Sequence, residues 1–526
     1  LMKMQREARV RVGAVFYASV MLATLFVVWG VFFTDSLAAF NAAALSFVTE
    51  TFGWVYLIAT TLFIVFMLFL AISRFGRIRL GKDGDRPEFS TAAWLAMLFS
   101  AGMGIGLVFY GVGEPMSHLS APPLGMAEPG SMEAGRMAMQ YTFFHWGLHP
   151  WAIYGVVALA IAYFTFRRGK KGLISTAFYP LLGDRVDGPI GKAIDVLAIF
   201  VTTLGVATSF GIGALQINTG TNYLFGVPEG TSVQILIIAG VTAVFVASAV
   251  SGLHRGIRYL SHINMTLFMG IMLFLLIVGP TIFMLDVFTA TLGNYIQNFV
   301  TMSFTSGAFV QEDAWLQGWT LFYWAWWMTW SMWVGTFVAR VSKGRTIREF
   351  VIGVLVVPSL LSFLWFSVLG GSALNLDLFG GGNITAAVSE NISTALFVTL
   401  NEFPLGTIVS VLAMILIATF FITSADSASF VLGMLSSNGH QNPPAMVKVI
   451  WGSFIASFAV VLLLAGGLEA VQQVAIITGV PFTILLIGLA ASLYKAVLAE
   501  VLPERPAVPA TTQDGGSVTE GHGASR

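Results

Sequence analysis

Long apolar runs separated by short polar loops dominate the chain. Runs long enough to cross a hydrocarbon core of ~30 Å occur at about residues 13–33, 53–73, 92–111, 142–165, 194–223, 232–250, 262–285, 317–340, 350–371, 406–432, 446–466 and 473–496. The pattern predicts an all-α polytopic membrane protein with twelve transmembrane helices. Between Phe288 and Ser306 the chain is less apolar, with Thr289, Thr291, Asn294, Tyr295, Gln297 and Asn298, and reads either as a helix lying along the outer surface or as a loop. From about Glu500 onward Pro, Gly, Ser and Thr predominate, the composition of a disordered tail.

Composition supports the membrane assignment: 56% of the 526 residues are apolar and 10% are charged. The basic residues Lys3, Arg6, Arg9 and Arg11 lead into the first run without a small-residue cleavage site, so this helix is expected to be retained. Placing the N-terminus in the cytoplasm puts the clusters Arg74/Arg77/Arg79/Lys82/Arg86, Arg167/Arg168/Lys170/Lys171, Arg255/Arg258 and Arg340/Lys343/Arg345/Arg348 on the cytoplasmic side. The opposite loops carry Glu128, Glu133, Glu229, Glu312, Asp313 and Glu390. Both termini are then cytoplasmic. The chain has no cysteine, which excludes structural disulfides, thiolate metal sites and cysteine nucleophiles. Nothing in the charge distribution supports nucleic-acid binding.

Within the eighth run, Trp324 to Trp333 holds five of the fourteen tryptophans. On a helix, Tyr323, Trp326, Trp330 and Trp333 fall within about 80° of one another, with Trp327 beside them. They sit near the middle of the run, where an interfacial aromatic belt has no reason to be, so the stretch reads as a binding wall or as helix packing. The fourth run adds Trp146, Trp151 and Tyr154 around Pro150. Its His145 and His149 are one turn apart, but no third metal ligand is apparent and hydrogen bonding or packing is the better reading.

Three glycines alternate in Gly102-Met103-Gly104-Ile105-Gly106, in the middle of the third run. Close helix packing and a midplane unwound segment both explain them. That run is expected to stop at Gly113-Glu114-Pro115. In the tenth run, Thr423-Ser424-Ala425-Asp426-Ser427 places hydroxyls and a carboxylate at membrane depth. Thr423 and Ser424 are hard oxygen donors suited to a small alkali cation. Asp426 reads either as a functional group or as a structural one held by neighbouring hydroxyls and backbone.

Taken together, the third-run glycine motif, His145-Trp146 with His149-Pro150-Trp151, Ala325-Trp326-Trp327 through Trp330, Gly344-Arg345-Thr346-Ile347-Arg348-Glu349-Phe350 and Thr423-Ser424-Ala425-Asp426-Ser427 resemble the betaine/choline/carnitine transporter family over about residues 10–497. The resemblance implies a LeuT-like arrangement of two inverted five-helix repeats after two N-terminal helices. The divisions are a tail (1–12), two N-terminal helices (13–91), a first repeat (92–287), a periplasmic connection (288–316), a second repeat (317–498) and a cytoplasmic tail (499–526). It also implies a homotrimer in a bacterial inner membrane, with lipids and a small zwitterion as partners, no organic cofactor, and sodium as coupling ion.

Carried onto this sequence, the resemblance implies an aromatic cage of Trp146, Trp151, Tyr154, Trp326, Trp327 and Trp330. Gly102, Met103, Gly104 and Gly106 would, on this resemblance, supply backbone to the substrate carboxylate. A sodium site would use Ser100, Met103, Phe420, Thr423 and Ser424. A second would draw on Thr202 and Trp333, although Val206 and Trp333 depart from the threonine and phenylalanine of that pattern. Relatives specialised for choline resemble one another in carrying an acid at the position of Gly106, so a zwitterion such as glycine betaine is favoured here. The other readings are a sodium-independent or proton-coupled carrier for carnitine, choline, ectoine or a sulfonium analogue. An intramembrane hydrolase lacks a nucleophile and base, and a channel lacks a filter repeat.

Overall fold

The computed structural model describes residues 12–102, 104–251, 254–309 and 313–500. Among them there is no β-strand, only an isolated bridge between Arg79 and Thr346. The helices run in chain order: α1 (Ala14–Phe32), α2 (Thr34–Ile72), α3 (Thr91–Gly102), α4 (Ile105–Ser120), α5 (Met132–Trp146), α6 (Leu148–Ala162), a four-residue α7 (Tyr179–Leu182), α8 (Pro189–Phe225) and α9 (Thr231–Ser251). Then come α10 (His254–Val278), α11 (Thr281–Phe304), a short α12 (Asp313–Leu316), α13 (Phe322–Val341), α14 (Ile347–Phe379), the short α15 (Ile384–Glu390) and α16 (Ala395–Asn401), α17 (Gly406–Ser436) and α18 (Ala445–Leu498). Nine helical stretches among the described residues are long and apolar enough to cross a membrane. Large apolar side chains such as Leu25, Phe32 and Ile72 on α1 and α2 are exposed, as expected where the outer solvent is lipid.

The differences from the apolar pattern have local causes. The third run is two helices, because Gly104 takes an extended conformation (φ −161°, ψ −176°) between α3 and α4. Unwinding is therefore the reading that holds at this motif. The α4 helix does not stop at Pro115 but continues to Ser120. The proline ring lies against α14 at Gly370, where an added Cβ would sit 2.7 Å from Pro115 Cγ, so packing offsets the lost backbone hydrogen bond. The fourth run is also broken, at Gly147, between α5 and α6. The seventh ends earlier than its hydropathy suggests, at Gly279-Pro280, and the less apolar segment after it is the helix α11, not a loop. Runs eleven and twelve form α18, with non-helical backbone at Gly466 and Gly467.

A π-helical turn, Gln317–Leu321, leads into α13, which packs against α6, α8 and α18 at the centre of the molecule. Trp324 and Trp326 are fully buried there. On the basic-loop face, residues 78–80 pair with 344–347 through Leu80 N–H to Arg345 O (2.8 Å), Gly344 N–H to Leu80 O (2.8 Å) and Ile347 N–H to Ile78 O (2.9 Å). A capping box of Thr346 and Glu349 starts α14 beside this pairing. Arg167 joins Asp83 and Glu500 on the same face.

Candidate functional site

Helical spacing puts Trp326, Trp327, Trp330 and Trp333 on one side of α13, and the break at Gly147 brings two further elements to meet them. Trp146 is the last residue of α5, while Trp151 and Tyr154 lie on α6. The six rings expected to form a cage make one continuous cluster. Trp326 and Trp327 are stacked at 4.8 Å and 17°. Trp146 meets Trp327 edge to face at 4.8 Å, Trp330 meets Trp326 at 5.4 Å, Tyr154 meets Trp327 at 6.3 Å and Trp151 meets Tyr154 at 5.6 Å. All six are buried. Stacked and edge-to-face contacts of this kind hold the rings in place. Trp324 points elsewhere and stacks on His149 at 4.7 Å.

The unwound segment closes on the same rings. A Cβ on Gly106 would lie 2.6 Å from Trp326 Cη2 and 3.2 Å from Trp146 Cη2, and one on Gly104 would lie 3.3 Å from Trp330 Cη2. Glycine at 106 is thus required by close approach, and the first N–H groups of α4, which have no intrahelical acceptor, begin beside the tryptophans. Gly102 ends α3, and Met103 lies outside the described residues.

Three indole N–H groups are consumed by the protein. Trp146 Nε1 donates to Glu114 Oε2 at 2.7 Å, Trp327 Nε1 to the carbonyl of His145 at 3.1 Å, and Trp330 Nε1 to the carbonyl of Gly205 at 2.9 Å. Trp326 Nε1, fully buried, has no acceptor among the described residues. An orphaned buried donor costs ~1–3 kcal/mol, so this position favours a ligand that brings an acceptor.

Glu114 is the buried residue at the ring cluster that the sequence reading missed. It is fully buried, accepts from Tyr323 Oη at 2.5 Å as well as from Trp146, and its Oε1 lies 2.6 Å from His145 Nδ1. One carboxylate therefore ties α4, α5 and α13 together at one end of the cage. Its signal was an acid inside an apolar helix, hidden by the expectation that the helix ended there. His149 does not pair with His145; its Nε2 is 3.2 Å from Ser303 Oγ.

The expected sodium ligands lie apart from the rings. Ser100, Phe420, Thr423 and Ser424 all line a cavity of about 780 Å³, together with Trp333, Asn264, Asp426 and Arg340. Thr423 Oγ1 accepts from Asn264 Nδ2 at 3.0 Å and contacts the carbonyls of Thr419 and Phe420 at 3.0 and 3.2 Å. None of the six cage residues lines this cavity. Trp333 connects the two regions, packing edge to face on Trp330 at 4.8 Å. Of the two residues expected at a second sodium site, Trp333 lines the cavity, and Thr202 is fully buried on α8 with an unpartnered hydroxyl. Thr203 and Thr208 donate to backbone carbonyls.

The chain matches the family described as BCCT, betaine/carnitine/choline family transporter, over residues 14–501. It is 52% identical over 491 residues to the glycine betaine transporter OpuD of Bacillus subtilis, covering 93% of this chain and 95% of that one. It is 46% identical to a probable glycine betaine transporter of Desulfitobacterium hafniense, covering 93% and 98% of the two chains. It is 44% identical to an ectoine/hydroxyectoine transporter of Virgibacillus pantothenticus, covering 91% and 95%.

Proposed function

The chain belongs to the betaine/carnitine/choline family of transporters, and from that premise we propose that it imports a quaternary-ammonium zwitterion, glycine betaine before others, coupled to sodium by alternating access. The observation that carries this reading is the closure of Gly106 on Trp326 and Trp146. A trimethylammonium group cannot donate hydrogen bonds and is held best by ring faces, worth roughly 0.5–2 kcal/mol per contact when desolvated. A carboxylate on the same molecule meets the free N–H groups at the start of α4 and the unpartnered Trp326 Nε1. Ectoine-type zwitterions share the carboxylate but carry an amidinium with N–H donors, whereas choline has the trimethylammonium group and lacks the carboxylate.

In this reading two N-terminal helices precede two inverted five-helix repeats, and the two glycine breaks, at Gly104 and Gly147, lie in the first repeat. The α3/α4 pair and the tryptophan-rich α13 count as spans, and α18 counts as two, which brings the total to twelve. With basic loops in the cytoplasm, the cavity lined by Arg340 and Gln441 opens inward. The Glu114 cluster then seals the outer side, so the conformation is cytoplasm-facing. Sodium is held by Ser100, Phe420, Thr423 and Ser424, with the Met103 carbonyl as a further ligand. Each charge moved through 100 mV adds about 2.3 kcal/mol to accumulation, a factor of about 50. The protein works as a homotrimer in a bacterial inner membrane, with both termini in the cytoplasm.

The test is quenching of tryptophan fluorescence by glycine betaine, choline, carnitine and ectoine, with and without sodium. Glycine betaine is expected to bind most tightly, and more tightly with sodium. Failure of glycine betaine to bind, together with sodium-independent choline binding, would refute the substrate assignment.

A further inference from the structure

Beyond the cage, the outer end of α4 presents Glu114 and His118 one turn apart, and His145 from the last turn of α5 faces them. Glu114 Oε1 is 2.6 Å from His145 Nδ1 and 3.4 Å from His118 Nε2, and one donor atom from each residue lies within 4.8 Å of the other two. The two carboxylate oxygens are divided. Oε2 accepts from Trp146 and Tyr323, which leaves Oε1 for the two imidazoles.

A second observation is independent of this clustering. His118 is fully buried, wedged against Trp315 and Trp319 with ring centroids at 5.0 and 4.5 Å, and neither of its ring nitrogens has a well-formed hydrogen bond among the described residues. Its Nδ1 has no partner among the described residues and its Nε2 only the long contact with Glu114, a state in which native structures rarely leave a buried imidazole.

We propose that Glu114, His118 and His145 form a binding site for a divalent transition ion of the zinc class, which locks α4 to α5 at the outer end of the transport path. Two imidazole nitrogens and one carboxylate oxygen suit zinc, nickel or copper, whereas sodium, magnesium and calcium prefer oxygen alone. Metal–donor bonds of ~2.0–2.1 Å in a tetrahedron separate the donors by about 3.3 Å. The observed separations bracket that value, so small side-chain movements complete the site. His145 Nε2 lies 2.9 Å from Thr320 Oγ1, and with its proton donated there Nδ1 presents its lone pair to the ion. Trp146 follows His145 directly, so an ion held here fixes one wall of the cage. Because the three ligands are sealed from solvent, the ion enters when the outer end opens and is trapped when it closes. Occupancy therefore inhibits transport.

The proposal goes beyond the transport reading, and its test is read without substrate. Purified protein is titrated with cobalt(II) as a spectroscopic probe and with zinc in competition, in the parent, His118→Gln and His118→Cys. One tetrahedral cobalt per chain is expected in the parent. His118→Gln is expected to weaken zinc binding by about tenfold or more. His118→Cys is expected to restore binding with a cobalt–thiolate charge-transfer band, which reports on this position alone because the chain has no other cysteine. Equal zinc affinity in parent and His118→Gln, no binding below about millimolar, or no thiolate band in a folded His118→Cys protein would overturn the site. Cobalt binding without glycine betaine binding would sink the substrate assignment and leave the metal site standing; the converse would do the opposite.

Discussion

Gly106→Ala isolates the contact on which the cage depends. The new methyl group would sit 2.6 Å from Trp326 Cη2 and 3.2 Å from Trp146 Cη2, so at least one indole must move. Both rings are pinned: Trp146 by its bond to Glu114, and Trp326 by stacking on Trp327. Overpacking of a well-ordered site costs about 1–3 kcal/mol, which translates to a loss of glycine betaine affinity of about 5- to 150-fold. Alanine improves a helix by about 0.5–1 kcal/mol relative to glycine, so α4 itself is not weakened and the loss belongs to the rings. Gly104→Ala, whose nearest ring atom is 3.3 Å away, is expected to cost less. Gly270→Ala on α10, with nothing within 4 Å, serves as the control. Isothermal titration of the purified proteins with glycine betaine in saturating sodium measures all three. Parent-like affinity in a folded Gly106→Ala protein would refute the assignment of this cluster to substrate.

Trp330→Leu removes one ring and its bond to Gly205 O and is expected to weaken binding at least about tenfold, read by the same titration; unchanged uptake would remove Trp330 from the cage. Glu114→Gln leaves Trp146 and Tyr323 donors facing an amide in place of a carboxylate. A loss of about 1.5–3 kcal/mol is expected, seen as a lower melting temperature and weaker substrate binding. Thr423→Ala combined with Ser424→Ala is expected to raise the sodium concentration needed for half-maximal binding about tenfold or more while leaving sodium-free affinity unchanged. An unaltered sodium titration would place the ion elsewhere.

The apolar runs were legible because lipid demands continuous hydrophobicity, whatever the helices do inside it. The clustering of the rings was legible for a related reason: a 3.6-residue period determines which tryptophans share a face, and Trp324, which stacks on His149, falls off that face. Breaks were harder to read. Gly102 to Gly106 suits tight packing and unwinding equally well on paper, and in the structure the unwound segment also packs closely on Trp326. Pro115 argued for a helix end because its partner, Gly370 on α14, is 255 positions away in sequence. With the helix ended at Gly113-Glu114-Pro115, Glu114 did not stand out as an acid buried within a helix. The Glu114 and His118 spacing on one helical face was present in the sequence but was eclipsed by the more conspicuous His145 and His149 pair.

The indole N–H groups of Trp146, Trp327 and Trp330 are all turned into the protein, and the Glu114 carboxylate at one end of the cluster is engaged by Trp146 and Tyr323, so what the rings themselves would offer the cationic end of the proposed substrate is neutral carbon surface. A carboxylate-lined pocket attracts cations through a field that ions screen, with a Debye length that shrinks from about 10 Å at 0.1 M to about 3 Å at 1 M. Quadrupoles acting at ring contact over a few ångströms, with water and counterions squeezed out, lose little under the same conditions. On the proposed function, capture of the cationic end would persist in brine, where an acid-based receptor competes with every dissolved cation.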